Sequence, residues 1–189
     1  MKLTRSAVLS TLLLVVCLFL LPSARAQSLD VFGGLNALTA KQAVQNFPKL
    51  GGGLFPSAGV DLFLGPVGVG AEVAFRATQN SSGLRPTYYD FNVLLDPIHI
   101  SRSLIPVLML GLGSQNIQGF QNLTTCGSLS NCAQFAGNHL SAHVGVGLKF
   151  YVTEHIFLRP EAHFYFIHNN TPYPNAQRWG VSLGYTFGS

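Results

Sequence analysis

The sequence predicts an all-β chain in which eight antiparallel strands close into an up-and-down transmembrane barrel. Three observations carry that prediction. Apolar residues make up 48% of the chain and the mean hydropathy is +0.32, yet beyond the N-terminal leader no apolar run is long enough to cross a bilayer as a helix. The apolar residues instead recur at every second position, as in a barrel wall that shows lipid on one face and a lumen on the other. The segments patterned in this way are joined by connections that alternate between short and long.

The first element lies outside that pattern. Lys2 and Arg5 precede the apolar stretch 12–21, Pro22 breaks it, and Ala24-Arg25-Ala26 supplies a small-x-small cleavage site. This order is that of a secretory signal peptide over residues 1–26, with cleavage expected before Gln27 and a single barrel domain over 27–189. Cys17 is read as an ordinary residue of the apolar core, because Leu18 to Leu21 continue past it and Val15-Val16 do not suit a lipoprotein signal. Three of the eleven basic residues and none of the seven acids fall in the leader, which leaves eight against seven. The basic balance is therefore a targeting feature. Nucleic-acid binding, which needs a clustered basic face, is excluded.

Strands are expected over 29–35 and 58–64, followed by the tight Gly65-Pro66 turn. Over 67–76, Val67, Val69, Ala71, Val73 and Phe75 form one face and Gly68, Gly70, Glu72, Ala74 and Arg76 the other. Strands over 88–95 and 105–115 carry Leu94 and Met109 on an otherwise polar face. Over 140–151 the alternation sets Leu140, Val144, Val146 and Phe150 against Ser141, His143, Gly145 and Lys149. Over 156–168, Ile156, Leu158, Phe164 and Phe166 oppose Arg159, Glu161, His163 and Tyr165, and Pro160 on the apolar face demands a bulge or an unpaired site. The last strand, 178–187, turns Trp179, Val181, Leu183, Tyr185 and Phe187 outward, with aromatics toward both ends as an interfacial girdle requires.

Connections 65–66 and 152–155 are tight turns and 96–103 is a moderate link, whereas 36–56, 77–86, 116–138 and 169–177 are longer. Short turns on one rim and long loops on the other mark a barrel in an outer membrane, with the short side periplasmic. Parity agrees with both tight turns: the two residues Gly65-Pro66 join even-outward to odd-outward strands, and the three residues 153–155 preserve the face.

Gly-Val-Gly-Leu-Lys-Phe-Tyr over 145–151, Ile156 to Arg159 after a short turn, and Trp179 to Phe187 together resemble the small outer-membrane barrels typified by the OmpA transmembrane domain, OmpX and OmpW. The resemblance covers the whole of 27–189 and implies a monomeric, porin-like barrel in the outer membrane of a diderm bacterium, in contact with outer-membrane lipid and lipopolysaccharide. It also implies insertion by the barrel-assembly machinery, whose terminal signal is matched by the alternation of Tyr185 and Phe187 ahead of Gly188 and Ser189. No cofactor and no metal are expected.

Eight strands enclose an interior just wide enough for side chains to fill, which argues against a wide pore. The inward set includes Asp61, Glu72, Asp90 and Glu161 against Arg76, Lys149, Arg159 and Arg178, and buried charges must be paired. A lumen network is therefore expected, with Lys149 beside Arg159 and diagonal to Glu161, and with inward glycines at 68, 70, 145, 147, 180 and 184 making room. A structural or surface-interaction role follows. The alternative is a narrow channel for small solutes. A soluble lipid-binding barrel would need an apolar interior, and here the inward faces carry the charges.

Some small barrels modify lipid A, and His139-Leu140-Ser141 resembles the His-x-Ser of the deacylases. Such a pair needs a carboxylate at its own height. Glu154 sits at the opposite rim, about 40 Å along an extended strand, Glu161 is too deep, and parity turns His139 and Ser141 away from lipid. No catalytic residue is expected. Cys126 and Cys132 bracket five residues of the longest loop and predict a disulfide, since the chain crosses an oxidising periplasm and two thiols alone make a poor metal site. His99, His155 and His168 are scattered at turns or rims. The sequons at Asn122 and Asn169 are read as loop composition.

Overall fold

The computed structural model describes residues 27–43, 49–78, 84–96, 100–101, 103–118, 137–170 and 172–188. The signal peptide, His99, Asn122, Cys126 and Cys132 lie outside the described residues, and so does the expected disulfide. Eight strands follow one another in chain order: β1 (Gln27–Lys41), β2 (Leu54–Leu64), β3 (Val67–Phe75), β4 (Arg85–Leu95), β5 (Leu104–Gln118), β6 (Gly137–Tyr151), β7 (Ile156–Ile167) and β8 (Asn175–Phe187). Each pairs antiparallel with its neighbours, and β1 pairs with β8, so the sheet closes and no edge is left.

All eight expected strands are present, and most extend further toward the long-loop rim than the alternation indicates. The β1–β8 ladder continues through Leu38↔Arg178 to Lys41↔Asn175, and β5 and β6 pair as far as Asn116↔Asn138 and Ile117↔Gly137. Beyond the lipid band both faces of a strand meet water or loops, so polar residues occupy both and the period-2 signal fades while the backbone ladder persists. Pro160 acts as expected: β6–β7 pairing passes from Gly147↔Glu161 to Phe150↔Leu158, with no pair between them.

The short turns gather on one rim. Gly65 takes φ 69°, which a side chain disfavours, and Asp96 N donates to Pro66 O at 2.8 Å. In the β6–β7 turn the Thr153 hydroxyl accepts from Ile156 N at 3.0 Å and Val152 N donates to Ile156 O at 2.8 Å, leaving the three residues 153–155 as the loop.

The outer wall is a continuous apolar belt. Phe91 is 70% exposed, Leu112 63% and Trp179 57%, with Val69, Val144, Val146 and Leu183 between them. A patch that encircles the molecule is far larger than water tolerates, and lipid is the solvent that fits it. No helix among the described residues is long and apolar enough to cross a membrane; the strands are what cross it.

Candidate functional site

The lumen is filled in three layers. At the periplasmic end Phe63, Leu94, Val107 and Met109 form a buried apolar cluster, which explains why β4 and β5 carry Leu94 and Met109 on their inward faces. At the outer end Leu38, Phe55, Tyr88, Tyr165, Ile167 and Ala176 form a second cluster. Polar residues tie that end together: Gln115 donates to the Tyr88 hydroxyl at 2.6 Å, Asn170 donates to Gln115 Oε1 at 2.9 Å, and Asn36 donates to Ser57 Oγ at 3.0 Å. Leu50, Leu84 and Tyr173 from the outer connections are buried as well, and burial raises the Tyr173 hydroxyl to about 12, so that ring stays neutral.

Between the two clusters lies the charged layer. The ladder sets Asp30 directly opposite Asp61 and Glu72 directly opposite Asp90, two like-charge cross-strand pairs that repel. The cations that offset them stand on β6, β7 and β8. Lys149 pairs with Asp30, whose other oxygen accepts from Thr186 Oγ1 at 2.7 Å. Arg159 donates from Nη1 to Asp61 at 2.6 Å and from Nε to Glu161 at 2.8 Å, and Ser182 Oγ donates to the second Glu161 oxygen at 3.1 Å. Arg178 reaches Glu72 at 2.5 Å and stands 3.7 Å from Asp90, which accepts from the Tyr165 hydroxyl at 2.7 Å. Lys149 also lies 4.1 Å from the Phe63 ring centre, and Arg159 4.1 Å from that of Phe32.

This arrangement differs from the expected four-against-four balance in three ways. Asp30 is a fifth lumen acid; Leu29 and Val31 point outward, so the same parity that served the other strands places it inside. Lys149 bridges to Asp30 and not to Glu161. Arg76 stands apart at the outer end, donating to Leu50 O at 3.1 Å and lying 6.0 Å over Phe55. Its charge does not touch the acids. Five carboxylates therefore share three fixed cations, with His143 and His163 buried among them.

The remaining site residues fall into separate places. Trp179, Tyr185 and Phe187 face outward on β8, with Tyr185 packed 4.7 Å from Phe187 and 5.4 Å from the His155 ring of the neighbouring turn. His139 and Ser141 face inward near the outer rim; His139 is paired with Gln115, and Ser141 with Gly113 and Ile167, none of them a carboxylate.

Interior room depends on glycine at specific positions. A Cβ on Gly113 would stand 2.1 Å from the Tyr89 carbonyl oxygen and 2.6 Å from Asp90 Oδ1. The first contact is backbone and cannot rotate away. Gly113→Ala is expected to destabilise the barrel by about 1–3 kcal/mol, read as a lowered urea midpoint in the loss of the heat-modifiable folded band.

The sequence matches the family described as "Outer membrane protein beta-barrel domain" over residues 10–187. The chain belongs to that family. It is an integral protein of the outer membrane, crossing it as a multi-pass barrel. Among solved structures the barrel domain is similar to the N-terminal barrel of OprF from Pseudomonas aeruginosa, at 16% identity, 85% coverage of this chain, 97% of that one and a TM-score of 0.57. It is also similar to Neisserial surface protein A, at 14% identity, 86% and 97% coverage and a TM-score of 0.59. OprG from Pseudomonas aeruginosa gives 10% identity, 87% and 98% coverage and a TM-score of 0.60. At these identities the likeness is one of fold. No curated protein matches the chain in sequence.

Proposed function

We propose that this barrel is a closed scaffold of the outer membrane, whose contacts with the outside are made by its long loops and not through its lumen. The observation that carries the reading is the stacked filling of the interior: an apolar layer at each end and, between them, charges that reach across the barrel from β6, β7 and β8 to β1, β2 and β3. An ion would have to part both apolar clusters and displace Arg159 or Arg178 from its carboxylates. The lipid-facing wall is suited to outer-membrane phospholipid and lipopolysaccharide. The outward aromatics Trp179, Tyr185 and Phe187 suit recognition by the barrel-assembly machinery, and a monomer suffices to bury every strand edge. Catalysis has no support at His139 and Ser141, because the Ser141 hydroxyl has no hydrogen-bond partner and therefore no base to activate it.

Purified barrel reconstituted into planar bilayers is expected to give a flat current trace across applied voltage. Reproducible unitary conductance steps from folded protein, abolished by heat denaturation, would replace the scaffold with a narrow channel.

A further inference from the structure

The charged layer carries an unsatisfied surplus that the ion pairs leave open. Leaving His143 and His163 out of the count, Asp30, Asp61, Glu72, Asp90 and Glu161 face Lys149, Arg159 and Arg178, five formal negative charges against three positive in a buried interior. Such an excess is costly unless a bound cation or added protons compensate it. Some of the unpartnered atoms of this layer lie in one cluster. Glu72 Oε1 and both ring nitrogens of His163 have no hydrogen-bond partner, although Glu72 is 5% and His163 2% exposed. Donor atoms of Glu72, Glu161 and His163 all lie within 4.8 Å of one another, and His163 Nε2 stands 3.9 Å from Glu161 Oε1.

We propose that the lumen holds a first-row divalent metal cation between Glu72, Glu161 and His163. Metal–ligand distances of about 2.0–2.2 Å place donor atoms up to roughly 4 Å apart, so a small inward rotation of these side chains completes the contact. The outer contacts are already in place: Arg178 holds the other Glu72 oxygen, and Arg159 and Ser182 hold the Glu161 carboxylate. Fixing the ligands in this way is what a second layer does around a metal. Two carboxylate oxygens and one imidazole favour zinc, cobalt, iron or manganese over the all-oxygen cages of calcium and magnesium. The site sits on β3 and β7 and links these two strands directly, beside the ion pairs that tie β3 to β8 and β7 to β2. The apolar layers close it at both ends, so the cation is taken up as the barrel folds.

The test refolds the barrel from urea into detergent micelles with Zn2+, dialyses it against metal-free buffer and measures bound zinc on protein whose folding is verified by heat-modifiable migration. Wild-type barrel is expected to retain stoichiometric zinc and to reject Ca2+. Folded His163→Gln and Glu72→Gln barrels are expected to retain at least about tenfold less. Co2+ loaded into wild-type barrel should broaden the amide resonances of Glu161, Gly180 and Ser182 and spare those of the 153–155 turn, a readout that needs no variant to fold. Zinc lost from wild-type barrel on dialysis, equal retention by folded His163→Gln, or cobalt broadening away from β3, β7 and β8 would overturn the site, and the excess charge would then be met by protons.

Discussion

Replacing Arg159 with methionine is expected to lower the unfolding free energy of the barrel by about 3–5 kcal/mol, the cost of stranding buried charge. Arg159 is 1% exposed and donates hydrogen bonds to two carboxylates, Asp61 on β2 and Glu161 on its own strand. Methionine keeps an apolar stem but removes the guanidinium that lies over Phe32, and it leaves Asp61 opposite Asp30 and Glu161 near Glu72 with no cation between them. The loss should therefore be electrostatic. The triple variant Arg159→Met, Asp61→Asn, Glu161→Gln removes the stranded charges along with the cation and is expected to recover most of the stability. Arg159→Lys keeps the charge but not the fork that spans two carboxylates, and should fall between them. Trp179 is the single tryptophan and faces lipid, so its emission during urea unfolding in vesicles reads all three. An unchanged midpoint in folded Arg159→Met would show that the network does not hold the barrel together.

The fold was legible in the sequence because a barrel wall is a local code. Each of Val67 to Phe75, Leu140 to Tyr151 and Ile156 to Ile167 displays its face through its own residues, and turn parity then fixes how neighbours join. Strand ends above the membrane were not legible, since Leu38 to Lys41 and Asn116 to Gln118 lose the lipid-facing signal while keeping their ladder pairing. The inward identity of the charged residues could be read for the same reason as the wall. Their partners could not. Cross-strand proximity predicts Lys149 with Glu161, but side chains as long as lysine and arginine span a lumen this narrow, and Lys149 to Asp30, Arg159 to Asp61 and Arg178 to Glu72 join residues far apart in the chain. Arg76 shows the converse: it keeps the parity of Glu72, yet it stands just past the end of β3, two steps of the alternation too high to share its layer. The Glu72–Glu161–His163 grouping has no spacing motif at all, because the closed sheet alone brings β3 to face β7.

Leu110→Arg is the second change with a large expected effect, and it bears on the wall and not the lumen. Leu110 is 54% exposed, midway between the outward Leu108 and Leu112, and its ladder partners Val93 and Val144 face outward with it. If that surface lies at the bilayer midplane, arginine there costs about 2–4 kcal/mol, falling to about 0–1 kcal/mol near the interface. Val152 supplies the contrast. It is 67% exposed in the β6–β7 turn, so Val152→Arg reaches headgroups and water and should be nearly neutral. The difference between the two variants, measured by Trp179 emission in urea with the barrel in vesicles, depends on depth alone, since both place the same side chain on an exposed aliphatic position. In water the order would vanish or invert, because an arginine on an exposed leucine relieves apolar hydration. Equal costs for the two variants in vesicles would mean that the belt from Val69 to Leu183 is not embedded where the alternation places it, and the orientation of the turns and loops would fall with it.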